Sequence, residues 1–168
     1  MELVSRMMDG SIGRPPDADL PTSDAPAKLG QDQKITYLQR VQIFESCSNR
    51  QLRAIARIAE VQEAPAGEVL ACVGDPGDRF FVIVDGAARI EVSPQKQHRI
   101  APGEFFGEMS LLDGGPRSAT VIADTAVRLL IIHRRDFVTL LREVPALTQQ
   151  MLVTLCRRVR AAEKALSA

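Results

Sequence analysis

Two oppositely charged side chains, Glu108 and Arg117, bracket a glycine-rich run that reads Phe105-Phe106-Gly107-Glu108-Met109-Ser110-Leu111-Leu112-Asp113-Gly114-Gly115-Pro116-Arg117-Ser118-Ala119-Thr120-Val121. A planar guanidinium can meet two oxygens of a phosphodiester with paired N–H donors, and a carboxylate can accept from a sugar hydroxyl. Gly107 lets a ligand approach the backbone, and the helical turn after it offers free N–H groups to a polar or anionic group. Gly114-Gly115-Pro116 then bends the chain back, so Arg117 enters the same concavity as Glu108 with the N–H groups of Ser118 and Ala119 beside it. A Glu and an Arg at this spacing are more often a surface ion pair than a clamp. The surrounding pattern favours the clamp.

That pattern is a change of period on either side of the run. Ile35, Leu38, Val41 and Ile43-Phe44, then Leu52, Ile55, Ile58 and Ala59, predict short helices broken near Ser46 to Asn49. After Ala64-Pro65 the spacing becomes extended, with strands expected at Glu68 to Val73, Phe80 to Val84, Ala87 to Val92 and His98 to Ile100. Turn signals separate them: Gly74-Asp75-Pro76-Gly77, Asp85-Gly86 as a tight hairpin, Ser93-Pro94 and Pro102-Gly103. Ser118 to Ile122 and Ala126 to Ile132 continue as strands, and Arg134 to Arg142 and Pro145 to Leu166 read as helices, the latter with proline at its favoured first position. Many short strands with regular turns imply a β-roll. The glycines at 74, 86 and 103 belong to turns with unusual backbone angles.

A chain of 168 residues is one domain's worth. Asp9 to Gly30 is rich in Pro, Asp, Ser, Gly and Ala, and residues 1–30 read as a disordered tail ahead of a domain over 31–168. The 21 basic and 21 acidic residues cancel, which argues against a polyanionic partner such as DNA or a membrane surface. Cys47, Cys72 and Cys156 are odd in number and far apart, which fits reduced and mostly buried thiols in a cytoplasm. His98 and His133 are too dispersed for a metal site, and no nucleophile motif is present, so the chain is not expected to be an enzyme or to need a cofactor.

From Phe106 to Val121 the run is similar to the phosphate-binding cassette of the cyclic nucleotide-binding domain family: Phe-Gly-Glu-x-Ser-Leu-Leu, then Pro-Arg-Ser-Ala-Thr-Val. The resemblance extends from about Lys34 to Leu166 through Ile43-Phe44, Gly67-Glu68, Gly74-Asp75-Pro76-Gly77-Asp78, Asp85-Gly86 and Pro102-Gly103-Glu104. It implies an α+β, mainly β, fold: an eight-stranded, jelly-roll-like β-roll flanked by N-terminal helices and two C-terminal helices, the last a lid. It implies that Glu108 binds the ribose hydroxyl, that Arg117 with Ser118 and Ala119 holds the cyclic phosphate, and that Gly107, Met109 and Ser110 add backbone contacts. Where one member offers a threonine to adenine this chain has Ala162, and where some bacterial channel-type members place a purine-capping arginine it has Arg158. Guanine-selective members often carry threonine after the cassette arginine; Ser118 here favours cyclic AMP over cyclic GMP.

The expected function is therefore a stand-alone cyclic-nucleotide sensor whose C-terminal helices move on binding to regulate a protein partner. The alternatives are a regulatory piece of a larger channel or enzyme, and a ligand-independent module of the same fold. The chain ends right after the last helix, where DNA-binding members continue, so DNA binding is not expected. Leu152, Leu155, Val159, Ala162 and Leu166 form a stripe on that helix, expected to pack on the roll, with a homodimer contact as the second choice.

Overall fold

The computed structural model describes residues 29–167, so all but the end of the tail expected over residues 1–30 lies outside the described residues. The first apolar stripe folds as α1 (Gln31–Gln39), a 3-10 turn (Gln42–Phe44) and α2 (Asn49–Ile58). Ser48 starts α2 with a capping box: its Oγ accepts from the Gln51 N–H at 3.2 Å, and Gln51 Oε1 accepts from the Ser48 N–H at 2.8 Å. Lys34 Nζ donates to the Ala59 carbonyl at 2.6 Å, which ties α1 to the end of α2.

Eight strands follow: β1 (Glu60–Ala64), β2 (Val69–Ala71), β3 (Arg79–Asp85), β4 (Ala88–Ser93), β5 (Lys96–Ile100), β6 (Phe105–Phe106), β7 (Thr120–Ala123) and β8 (Val127–His133). A short helix, α3 (Glu108–Asp113), is set between β6 and β7, and α4 (Arg134–Glu143) and α5 (Pro145–Ser167) end the fold. The strands form two antiparallel sheets, ordered β1-β8-β3-β6 and β2-β7-β4-β5. This is the expected eight-stranded roll with helices at both ends.

Three local expectations are corrected. β1 was not anticipated, because Glu-Val-Gln-Glu-Ala carries little apolar signal; it forms as an edge strand in register with β8, from Glu60 opposite Ile131 to Ala64 opposite Val127. Ser118 does not begin a strand, since β7 starts at Thr120. Asp85-Gly86 is not a hairpin, because β3 and β4 lie in different sheets. Gly86 has φ +82°, and a Cβ there would lie 2.1 Å from the Ala126 carbonyl oxygen. The Ala87 N–H donates to Thr125 Oγ1 at 3.0 Å and its carbonyl accepts from the Asp124 N–H at 2.9 Å, so the turn leans on the β7–β8 connection as the chain crosses between sheets.

Alternate residues of β3 face two cores. Phe81 and Ile83 meet Leu129, Ile131, Phe106, Val121 and Ala123 between the sheets. Phe80 and Val82 join Leu130, Ile132, Phe137, Leu147 and Phe44 beneath the helices. A sheet covered on both faces explains why β3 and β8 read as near-continuous apolar runs, whereas β5, at the edge of the other sheet, is exposed over Lys96 to Arg99. The thiols depart from expectation: Cys47 is half-buried, and Cys72 and Cys156 are exposed.

Replacing Gly86 by alanine should cost about 2 kcal/mol or more, from the left-handed backbone and the collision with Ala126. Urea unfolding checks this; an unchanged midpoint would show that the crossover tolerates a side chain.

Candidate functional site

Arg117 is held from both directions along its own backbone. Its N–H donates to the Asp75 carbonyl at 2.8 Å, and its carbonyl accepts from the Gly74 N–H at 2.8 Å. Pro76 and Pro116 face each other as an isolated antiparallel bridge. The Gly74-to-Asp78 turn is therefore the support on which the arginine is mounted.

The side chain then turns inward, and the residue as a whole is only 8 % exposed. Nη1 donates to the Gly107 carbonyl at 3.1 Å, Nη2 donates to the Arg79 carbonyl at 2.9 Å, and the carbon between them lies 5.6 Å from the Phe81 ring centroid. Phe81 is itself stacked on Phe106 at 4.6 Å, so the cation rests on an aromatic floor built from β3 and β6. Burial lowers the Arg117 pKa, and the nearby Arg79 cation adds to that, but a guanidinium so far above neutrality stays charged.

Two glycines make the room. Gly107 has φ +90°, and a Cβ there would sit 2.7 Å from Arg117 Nη1 and 2.8 Å from the Arg79 carbonyl. A Cβ on Gly77 would come within 2.5 Å of Ser110 Cβ and 2.8 Å of the central guanidinium carbon of Arg117. The room that the sequence predicts at Gly107 for a ligand is, in the structure, room for the arginine. Arg134, the first residue of α4, donates from Nη2 to the Gly77 carbonyl at 3.0 Å and to the Ser110 carbonyl at 2.7 Å, which ties the 74–78 turn, α3 and α4 together.

Glu108 opens α3 and is 2 % exposed. It does not pair with Arg117. Its partner is Arg158 of α5, whose Nη1 donates to Glu108 Oε1 and whose Nη2 donates to the Phe105 carbonyl at 3.1 Å. Burial raises the Glu108 pKa, and the Arg158 and Arg117 cations partly offset this. Ser110 is buried, Met109 is exposed, and Ser118 Oγ lies 3.6 Å from Met109 Sδ at the surface. Gly107, Glu108, Met109, Ser110, Arg117, Ser118 and Ala119 thus lie along one continuous cassette; Arg158 reaches it from a distant part of the chain, on Glu108. Sequence reasoning missed Gly77, Arg79, Phe81 and Arg134. Gly77 was legible only as a turn residue, and Phe81 only as one of an apolar run.

The chain matches the Cyclic nucleotide-binding domain model over residues 61–144. It belongs to the cyclic nucleotide-binding domain family. Among relatives of this domain, a cyclic nucleotide-gated potassium channel of Mesorhizobium japonicum is 38 % identical over 74 % of the chain and 35 % of that protein. A CRP-like cAMP-activated global transcriptional regulator of Mycobacterium tuberculosis is 28 % identical over 73 % of the chain and 57 % of its own length. The chain therefore spans about a third to just over half of these relatives. The crystal structure of Thermus thermophilus Catabolite Activator Protein superposes with a TM-score of 0.68 at 28 % identity, covering 75 % of this chain and 62 % of that one. No helix among the described residues is long and apolar enough to cross a membrane.

Because burial raises the Glu108 pKa, the folded chain holds that proton more tightly than the unfolded chain does. Its stabilising contribution is full below the ordinary glutamate value and is lost as pH rises through the raised one. The stability of the wild type relative to Glu108→Gln, from urea unfolding at stepped pH, should fall as pH climbs above the ordinary glutamate value of about 4. A flat difference would show that burial does not govern this carboxyl.

Proposed function

We propose that this domain is a receptor for a cyclic purine mononucleotide, cyclic AMP in preference to cyclic GMP, and that α4 and α5 pass its occupancy to a protein partner. The single observation that carries the reading is the buried Arg117 cation, whose fixed neighbours are two neutral carbonyls and an aromatic face. Such a charge, which has no carboxylate partner within ion-pair distance among the described residues, is suited to one exchangeable anion. A cyclic phosphodiester supplies one negative charge and two exocyclic oxygens, which a guanidinium meets with paired donors.

In this reading Glu108 accepts from the ribose 2′-hydroxyl, while Gly107, Met109, Ser110, Ser118 and Ala119 contribute backbone or hydroxyl contacts along the cassette. The relatives add support: their descriptions include a cAMP-activated regulator and a cyclic nucleotide-gated channel. Output through α4 is favoured by Arg134, which bonds the Ser110 carbonyl of α3 and so couples the cassette to the first C-terminal helix. The reading has no chemical step: the nucleotide is held and released intact.

Isothermal calorimetry with cyclic AMP and cyclic GMP tests it, with chromatography of the recovered nucleotide. Cyclic AMP should bind more tightly than cyclic GMP and return unhydrolysed. Arg117→Ala should lose on the order of 2 to 5 kcal/mol of binding free energy, since the phosphate charge is left unpaired. No binding of either nucleotide at about millimolar concentration, near the weakest useful affinity, would end the proposal.

A further inference from the structure

The stripe expected on α5 does not pack on the roll. Leu147 and Met151 are buried and Leu155 packs partly against the helical core, but Leu152, Val159, Ala162 and Leu166 are exposed, because the second half of this long helix runs past the apolar core. The unexpected contacts lie instead beside Arg117.

Two guanidiniums stand over the Phe81 ring. The central carbon of Arg117 lies 5.6 Å from the ring centroid, and that of Arg79 lies 5.4 Å from it. Phe106 stacks on the same ring with only 9° between the planes, so one face of Phe81 is taken and the two cations share what is left. Arg79 and Phe81 are two residues apart on β3 and so point to the same side of the strand. The cations are close enough to repel: after burial, Arg79 is the next cause that lowers the Arg117 pKa.

An opposing charge is only partly supplied by the chain. Asp78 Oδ1 lies 3.7 Å from Arg79 Nε, but the Asp78 side chain is 78 % exposed, so solvent screens the pair. Exposure also separates the two arginines. Arg117 is buried, whereas the Arg79 side chain is 34 % exposed, which sets one cation on the floor of the site and the other at its rim.

We infer that Arg79 is the entry cation of the anion site: it draws the cyclic phosphate of the nucleotide to the rim, beside the Phe81 ring, from which the phosphate reaches Arg117. This rests on the reading of Arg117 as the phosphate partner. An anion on that route stays next to positive charge throughout and offsets the repulsion between the two guanidiniums. Because the Arg79 side chain is partly hydrated and loosely paired, it contributes long-range attraction rather than a fixed bond, and such rim charges act on association more than on dissociation. The Arg79 carbonyl that holds Arg117 belongs to the main chain, so a change of the Arg79 side chain leaves that bond in place.

Surface plasmon resonance with unlabelled cyclic AMP over the immobilised full chain tests this, with Arg79→Gln, Arg79→Lys and Asp78→Asn compared at low and high salt. Arg79→Gln should slow association about threefold at about 10 mM salt and far less at about 1 M, where the screening length drops from about 30 Å to about 3 Å. Its dissociation rate should match that of the wild type. Arg79→Lys keeps the charge and should keep the wild-type association rate. Asp78→Asn removes the opposing charge and should speed association, a readout that does not depend on how Arg79→Gln folds. Unchanged association in Arg79→Gln, a slowing that salt does not remove, a change confined to dissociation, or unchanged or slower association in Asp78→Asn would each overturn the entry role and leave the receptor reading standing. If the wild type does not bind cyclic AMP or cyclic GMP, both fall.

Discussion

The structure is organised around one buried cation. A guanidinium cannot be neutralised by giving up its proton at any ordinary pH, so the fold must supply dipoles for it or leave it in water. Arg117 receives two carbonyls, from Gly107 and Arg79, and the face of Phe81. They belong to two elements, the start of α3 at Gly107 and β3 at Arg79 and Phe81, so satisfying this charge ties the segment before β7 to both. The glycines at 77 and 107 follow from the same constraint, because a methyl group at either would enter the space that the guanidinium fills.

Charge is also distributed unevenly around the cassette. Arg79, Arg117, Arg134 and Arg158 all contribute bonds or fields there, against Glu108 and the loosely placed Asp78. Arg134 is spent on carbonyls and Arg158 on Glu108. What remains around Arg117 is a site with an excess of positive charge. These residues hold the cassette together, a role that cannot be read from charge counts over the whole chain, which cancel.

The cassette and the order of helices, roll and helices were legible in the sequence because they are local: turn residues at fixed places, period changes, and one dense motif. What escaped was non-local. β1 is polar because one edge of an antiparallel sheet needs few apolar side chains, and nothing in Glu60 to Ala64 announces its partner. The Asp85-Gly86 turn carries the same residues whether it closes a hairpin or sends the chain to the other sheet; only the leaning of Ala87 on Asp124 and Thr125 decides. Likewise, the partner of Glu108 could not be guessed from its neighbours, since Arg158 arrives from the far end of the domain.

Double-sided burial of the first sheet has a mechanical outcome. Phe81 lies under the Arg117 cation, and Phe80, the adjacent residue on the same strand, points the other way and stacks on Phe137 of α4 at 4.7 Å. Their Cα atoms are fixed about 3.8 Å apart by one rigid peptide unit. β3 therefore acts like an axle through a wall, with one ring on the cassette side and one on the helical side. Neither ring can shift its backbone without carrying the other along, and tight packing on both faces leaves little slack to absorb the difference.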